Sequence, residues 1–201
     1  MLVFAREVFV CKCPTDVPEV DPEASGMAAE VRFRRGGEAD LALIDAQHAE
    51  HHGEEAVRQM RERLVRGDYW MIGEVEDRIV AYTWLYRGGA AAYPSLPGCE
   101  IRLRADTGYG YDAWTPPELR GHGLRRVGFL AELNILRREW GLSWEASFFV
   151  KHQLEGATRS LGGVGIAVIP LWRIWLQPDR TLAAERLADE AEADAAVPSF
   201  L

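Results

Sequence analysis

The sequence predicts an α/β fold organised around one core, and three observations carry that expectation. Runs in which apolar residues alternate one by one are interspersed with runs in which they recur every three to four positions. An extended aromatic run at residues 109–114 leads through a turn rich in proline and glycine into a periodic helix beginning near residue 121. The chain has 201 residues and is 48% hydrophobic, enough for one sizeable core and short of two full domains.

Taken in order, residues 14–24 are rich in proline and acidic side chains and read as a linker. Residues 1–26 are therefore expected to be a flexible N-terminal arm, with the folded domain at 27–178 and an acidic, alanine-rich tail at 179–201. Val31-Arg32-Phe33-Arg34-Arg35 alternates as a strand. Two helices follow at 38–50 and 54–66, with Leu41, Ile44 and His48 on one face of the first and Val57, Met60 and Leu64 on one face of the second. Strands are expected at 69–74 and 78–86, joined by a tight turn at Glu76-Asp77, then a loop at 88–98 and strands at 100–105 and 109–114. Leu124, Val127, Leu130, Leu133 and Leu136 form the buried stripe of the central helix, 121–140. A buried strand at 143–150, a short helix at 155–161, two strands at 164–170 and 171–177 and a helical tail at 182–196 complete the expected order.

The net charge of -8 argues against broad binding to nucleic acid, which needs a basic surface. No apolar run approaches the length of a membrane span, so neither nucleic acid nor membrane is an expected partner. Cys11, Cys13 and Cys99 cannot all pair within the chain and read as reduced thiols of a cytoplasmic protein. His48, His51 and His52, with Glu50 and Glu54, are spaced too loosely for a metal site. They read as a polar helix terminus, and no metal is expected.

The chemistry concentrates at Thr115-Pro116-Pro117-Glu118-Leu119-Arg120-Gly121-His122-Gly123-Leu124-Arg125. The first amides of a helix have no partners within it and sit at its positive end. Glycine lets an anion approach such a backbone closely, and arginine matches phosphate oxygens. This segment resembles the acyl-CoA pyrophosphate loop of the GNAT superfamily of N-acyltransferases. Arg120 and Gly123 match the family pattern, whereas Arg125 stands where a small residue is usual. The order strand, two helices, three strands, helix, strand, helix, two strands resembles the same family over residues 31–177.

The resemblance implies a mixed, mostly antiparallel central sheet of about six or seven strands with helices on both faces, splayed between the fourth and fifth strands. It also implies acetyl-CoA, or another acyl-CoA, as co-substrate. Its diphosphate would be held at Arg120, Gly121, His122, Gly123, Leu124 and Arg125, and its pantetheine arm would lie along Ala113, Trp114 and Thr115, with a Trp114 amide aimed at the thioester carbonyl. The family's cofactor-contacting Asn falls on His152 and its thiolate-protonating Tyr on Arg159, so Tyr109, Tyr111 or solvent would supply that proton.

A general base is needed because an ammonium must lose a proton before it attacks. Asp112 and Glu145 are candidates by position, Glu100 is a third, and His152 is a possible proton shuttle. Alternation places Asp112 and Trp114 on the same face. The expected function is transfer of an acyl group to an amine of a small molecule or peptide in a ternary complex, by a monomer or homodimer. A non-catalytic acyl-CoA-binding module of the same fold is the alternative. A different α/β enzyme whose glycine turn binds another phosphate compound is a third reading.

Overall fold

The computed structural model describes residues 7–19, 21, 24–87, 99–177, 179, 181–194 and 196–200; the expected loop at 88–98 lies outside them. In chain order the elements are β1 (Glu7–Pro14), α1 (Met27–Glu30), β2 (Arg32–Arg35), α2 (Glu38–His48), α3 (Glu54–Arg66), β3 (Tyr69–Val75), β4 (Arg78–Arg87), β5 (Cys99–Leu103), β6 (Thr107–Trp114), a 3-10 turn (Pro117–Leu119), α4 (Leu124–Arg138), β7 (Trp144–Phe149), α5 (Lys151–Gly162), β8 (Ile169–Leu176), β9 (Leu182–Arg186), α6 (Glu190–Ala193) and β10 (Ala196–Phe200). They divide into two compact units, one of residues 18–86 and 110–132, the other of residues 1–17, 87–109 and 133–201.

In the first unit β2 and β4 flank β3, each antiparallel to it. Glu76 and Asp77 both take left-handed backbone, φ 49° and 63°. That is the turn whose twist suits a two-residue hairpin, as expected for this pair. Helices cover both faces of these strands, which is why β3 and β4 read as nearly continuous apolar runs. On one face Leu41 and Ile44 of α2 and Met60 of α3 pack on Trp70, Ile72, Tyr82 and Trp84. Trp70 and Trp84 are direct cross-strand partners with rings 5.3 Å apart and nearly parallel. Leu124 and Gly128 of α4 lie with Phe33, Met71, Ala81 and Thr83 of the other face. Gly67 closes α3 in a left-handed cap, and acidic residues in its first turn and basic ones in its last suit the helix dipole.

In the second unit β1 runs between β7 and β8, antiparallel to both, and β9 pairs the outer side of β8. Strand β10 pairs with β5. These placements correct three expectations. Residues 7–14 are an interior strand and not part of a loose arm: Val8, Val10, Cys11 and Cys13 are all buried. The alanine-rich tail supplies two strands and one short helix where a single helix was expected, because strand pairing with β8 and β5 outweighs the local helix preference of Ala and Glu, which is worth only tenths of a kcal/mol per residue. The expected strand pair at 164–177 is one strand, β8. Pro170 sits where the register with β1 shifts, between Val10 and Cys11, and a bulge is where a strand tolerates proline.

Deleting residues 1–14 tests the place of β1. The truncated protein should lose its cooperative urea transition, because β7 and β8 would each be left with an unpaired edge beside a vacated buried row. A midpoint equal to that of the full chain would show that β1 is dispensable.

Candidate functional site

Strand β6 does not finish as a regular strand. Asp112 has φ +50°, a left-handed value uncommon outside glycine. The run of buried residues 107–110 has ended there, and Asp112 and Ala113 are both exposed while Trp114 is half-buried. Asp112 and Trp114 therefore do not share an environment as alternation predicted. The Asp112 carboxylate is ion-paired with Arg63 of α3, whose guanidinium lies 5.1 Å from the Tyr111 ring and 5.3 Å from the Trp84 ring. Tyr111 donates its hydroxyl proton to the buried Asp68, which also pairs with Arg66. Burial, then that hydrogen bond, pushes the Tyr111 pKa up, so this phenol is a weaker acid than a solvated one.

Beyond β6 the chain enters the predicted loop. Arg120 turns back, its Nε donating to the Thr115 carbonyl at 3.2 Å, which ties the two ends of the proline turn together. Gly121 and Gly123 have φ +85° and +78°. A Cβ at Gly121 would meet nothing within 4 Å and one at Gly123 only the Ala28 Cβ at 3.5 Å. The glycines are thus required by backbone conformation and not by space. Helix α4 starts at Leu124, and the Gly123 carbonyl accepts from the amides of Arg126 and Val127. Among the described residues, the amides of Gly121, His122, Gly123, Leu124 and Arg125 have no backbone acceptor. Five successive unpaired amides at a helix N-terminus are a donor set of the kind that suits an anion. The helix itself begins three residues later than its periodicity suggested, because residues 121–123 are spent on this turn.

Arg125 stands where the resemblance expects a small residue, and its side chain runs along the helix. Its Nη1 donates to Glu132 at 3.1 Å, and its guanidinium lies 5.0 Å from the Phe129 ring. Glu132 is fully buried, so Arg125 supplies the countercharge that a buried carboxylate needs. Next to this turn is a mostly apolar cleft reaching from Phe33, Met71 and Thr83 to Tyr82, Trp114 and Thr115.

Trp114 is the centre of an aromatic cluster that sequence reasoning did not assemble. It stacks on Tyr82 at 5.3 Å, and the edges of His48 and His52 lie 4.9 and 4.6 Å away, with His51 at 5.9 Å. The turn after α2, in which the His51 and His52 amides both donate to the His48 carbonyl, brings the three rings together. His48 is buried and hydrogen-bonds the Ile79 carbonyl through Nε2 at 2.8 Å; a carbonyl only accepts, so Nε2 carries the proton. His52 Nε2 is buried with no hydrogen-bond partner among the described residues. Leaving such an atom unpaired costs about 1–3 kcal/mol. Burial, and then His48 beside it, lower the His52 pKa, against a smaller opposing pull from Asp112. The three histidines were visible in the sequence only as a loose H-x-x-H-H spacing; their convergence on Trp114 depends on a strand some sixty residues away.

The remaining candidates lie in the second unit. Glu145 on β7 is buried and accepts from Ser147. His152 is exposed in the first turn of α5, which starts earlier than expected. Glu100 is on β5, paired across the ladder with Ser199. No metal-ligand cluster is present among the described residues, and no helix among them is long and apolar enough to cross a membrane.

No family model and no curated protein matches the chain. Solved structures do. One is a GCN5-related glucosamine N-acetyltransferase region of a fungal multi-domain GH3 β-N-acetylglucosaminidase, with TM-score 0.53 and 15% identity over 82% of this chain and 20% of that one. A second is a GNAT-family acetyltransferase from Colwellia psychrerythraea, with TM-score 0.52 and 8% identity over 82% of this chain and 53% of that one. A third is a conserved protein of unknown function from Staphylococcus epidermidis, with TM-score 0.51 and 6% identity over 82% and 58%. The chain spans between a fifth and three fifths of these proteins, and the likeness is one of fold.

The His52 environment makes a stability prediction. In the unfolded chain its imidazole takes up a proton below about pH 6.5, while the folded ring resists it. The unfolded state then holds more protons, so stability falls as pH drops from that value toward the lowered folded pKa. His52→Phe removes this contribution, and its urea midpoint should change less than that of the wild type between about pH 7 and pH 5.5. Equal pH dependence in both proteins would mean that the ring is not held neutral.

Proposed function

We propose that this chain, which has the GNAT fold, is an acyl-CoA-dependent N-acyltransferase that moves an acetyl group from acetyl-CoA to the amine of a small molecule or peptide. The observation that carries this reading is the row of unpaired amides from Gly121 to Arg125 at the start of α4, next to a strand end that leaves regular geometry at Asp112.

In this reading the amides of Gly121, His122, Gly123, Leu124 and Arg125 hold the diphosphate of the donor. His122 is exposed beside it, as is Arg120, whose Nε is engaged with the Thr115 carbonyl. The pantetheine arm lies along Ala113, Trp114 and Thr115, where the kink turns backbone groups outward to meet its amides. The Trp114 amide is the proposed donor to the thioester oxygen, on which negative charge grows as the amine attacks. Holding both partners in one site supplies the orientation that a bimolecular aminolysis lacks. The C–N bond forms, the C–S bond breaks, and the thiolate leaves. With an ordinary pKa of about 8.5, it can be protonated from solvent. This suits the engagement of Tyr111 with Asp68. Asp112 and Glu145 are each held by a partner, Arg63 and Ser147 respectively.

The name of the fungal region makes glucosamine a first acceptor to assay, beside tyramine and a lysine-containing peptide. Acetyl-CoA should raise the melting temperature; at a hundredfold excess over its Kd the added stability is about 2.7 kcal/mol. Gly123→Ala forces a side chain onto a left-handed backbone, at a cost of about 1–2 kcal/mol. It should therefore weaken acetyl-CoA binding roughly tenfold or more if the turn relaxes. Thiol release measured with Ellman's reagent distinguishes turnover from binding alone. No stabilisation by acetyl-CoA, or unchanged affinity in Gly123→Ala, would overturn the assignment of the loop.

A further inference from the structure

We infer that His52, packed against the Trp114 and Tyr82 rings, is the proton acceptor for the incoming amine. This rests on the reading of the chain as an N-acyltransferase. His52 is 6% exposed, and its Nε2 is a buried ring nitrogen with no donor or acceptor opposite it among the described residues. The two rings that confine it, Trp114 at 4.6 Å and Tyr82 at 5.7 Å, are themselves walls of the cleft beside the anion-binding turn. In the tautomer protonated at Nδ1, which this role requires, Nε2 offers a lone pair that stays unpaired until a donor arrives, and an ammonium is such a donor.

The groups around His52 come from three elements: His48 and His51 from α2 and its following turn, the Tyr82 ring from β4, and Asp112 with Trp114 from β6. His48 and His51 disfavour a second positive charge there. Asp112, itself paired with Arg63, favours one less strongly than burial opposes it. The resting ring is thus neutral and ready to take a proton, and the nearby carboxylate steadies the imidazolium once formed.

The protons balance. One N–H bond of the ammonium breaks as the Nε2–H bond of His52 forms, leaving the nitrogen lone pair to attack the carbonyl carbon. Collapse of the tetrahedral adduct breaks the C–S bond. Of the three ammonium protons, one stays on the amide nitrogen, one ends on the sulfur and one goes to solvent.

The test compares wild type, His52→Phe and His52→Gln for acetyl-CoA binding by calorimetry and for turnover of glucosamine, tyramine and a lysine peptide across pH. Both variants should bind acetyl-CoA as the wild type does and lose about a hundredfold in kcat/KM. In the wild type kcat/KM should rise with pH through a group titrating below the ordinary imidazole value; in the variants the rise should move to the pKa of the free amine. A merely structural role would not move that limb. Should His52→Phe fail to fold, His52→Gln and the wild-type limb still decide. Intact turnover and an unmoved limb in either variant overturn this role for His52 while leaving the loop assignment standing. Wild-type binding with no turnover of any of the three amines overturns it as well and favours a binding module. Failure of the wild type to bind acetyl-CoA removes both readings.

Discussion

The end of β6 cannot continue as a strand, and the candidate site depends on that. Asp112 is held at φ +50° with its carboxylate on Arg63, and Arg63 is in turn packed against Trp84 and Tyr111. The kink therefore has support from a helix on one side and an aromatic platform on the other. It comes where the buried run of β6 has ended, with Ala113 exposed and the proline turn following. Without it, Trp114 would face the other side of the sheet and miss the three histidines.

The same economy governs the start of α4. A helix that begins with ordinary residues in helical conformation presents its first amides to solvent in a regular turn. Here Gly121 and Gly123, both left-handed, curl the preceding segment so that five consecutive amides are left without backbone acceptors. Arg125 follows at once, yet its charge is directed inward to Glu132, so the turn presents backbone donors ahead of side-chain charge. Behind it Trp114 stacks on Tyr82, with His48 and His52 buried beside it.

Much of this architecture was legible in the chain because it follows from local rules. The 3.6-residue spacing of Val57, Met60 and Leu64 marks α3, and Gly67 marks its end. The pair Glu76-Asp77 marks the hairpin between β3 and β4. The glycines at 121 and 123 mark a turn that only they adopt without strain. What was misread lies where partners are far apart in sequence. Val8, Phe9 and Val10 are a clear β-forming run, but the strands that bury them are at 144–149 and 169–176, and an acidic, proline-rich stretch in between looked like the edge of a domain. The alanines of β9 carry a local preference for helix that pairing with β8 overrides.

The sequence by itself determined the class of fold, the order of its central elements and the position of the glycine turn before α4, because backbone conformation and hydrophobic period are properties of neighbouring residues. Only the tertiary structure decided that His48, His51 and His52 surround Trp114, that Asp112 is occupied by Arg63, and that residues 7–14 form an interior strand. Those outcomes turn on which side chains share a buried space, and burial is set by contacts between segments that no local pattern relates.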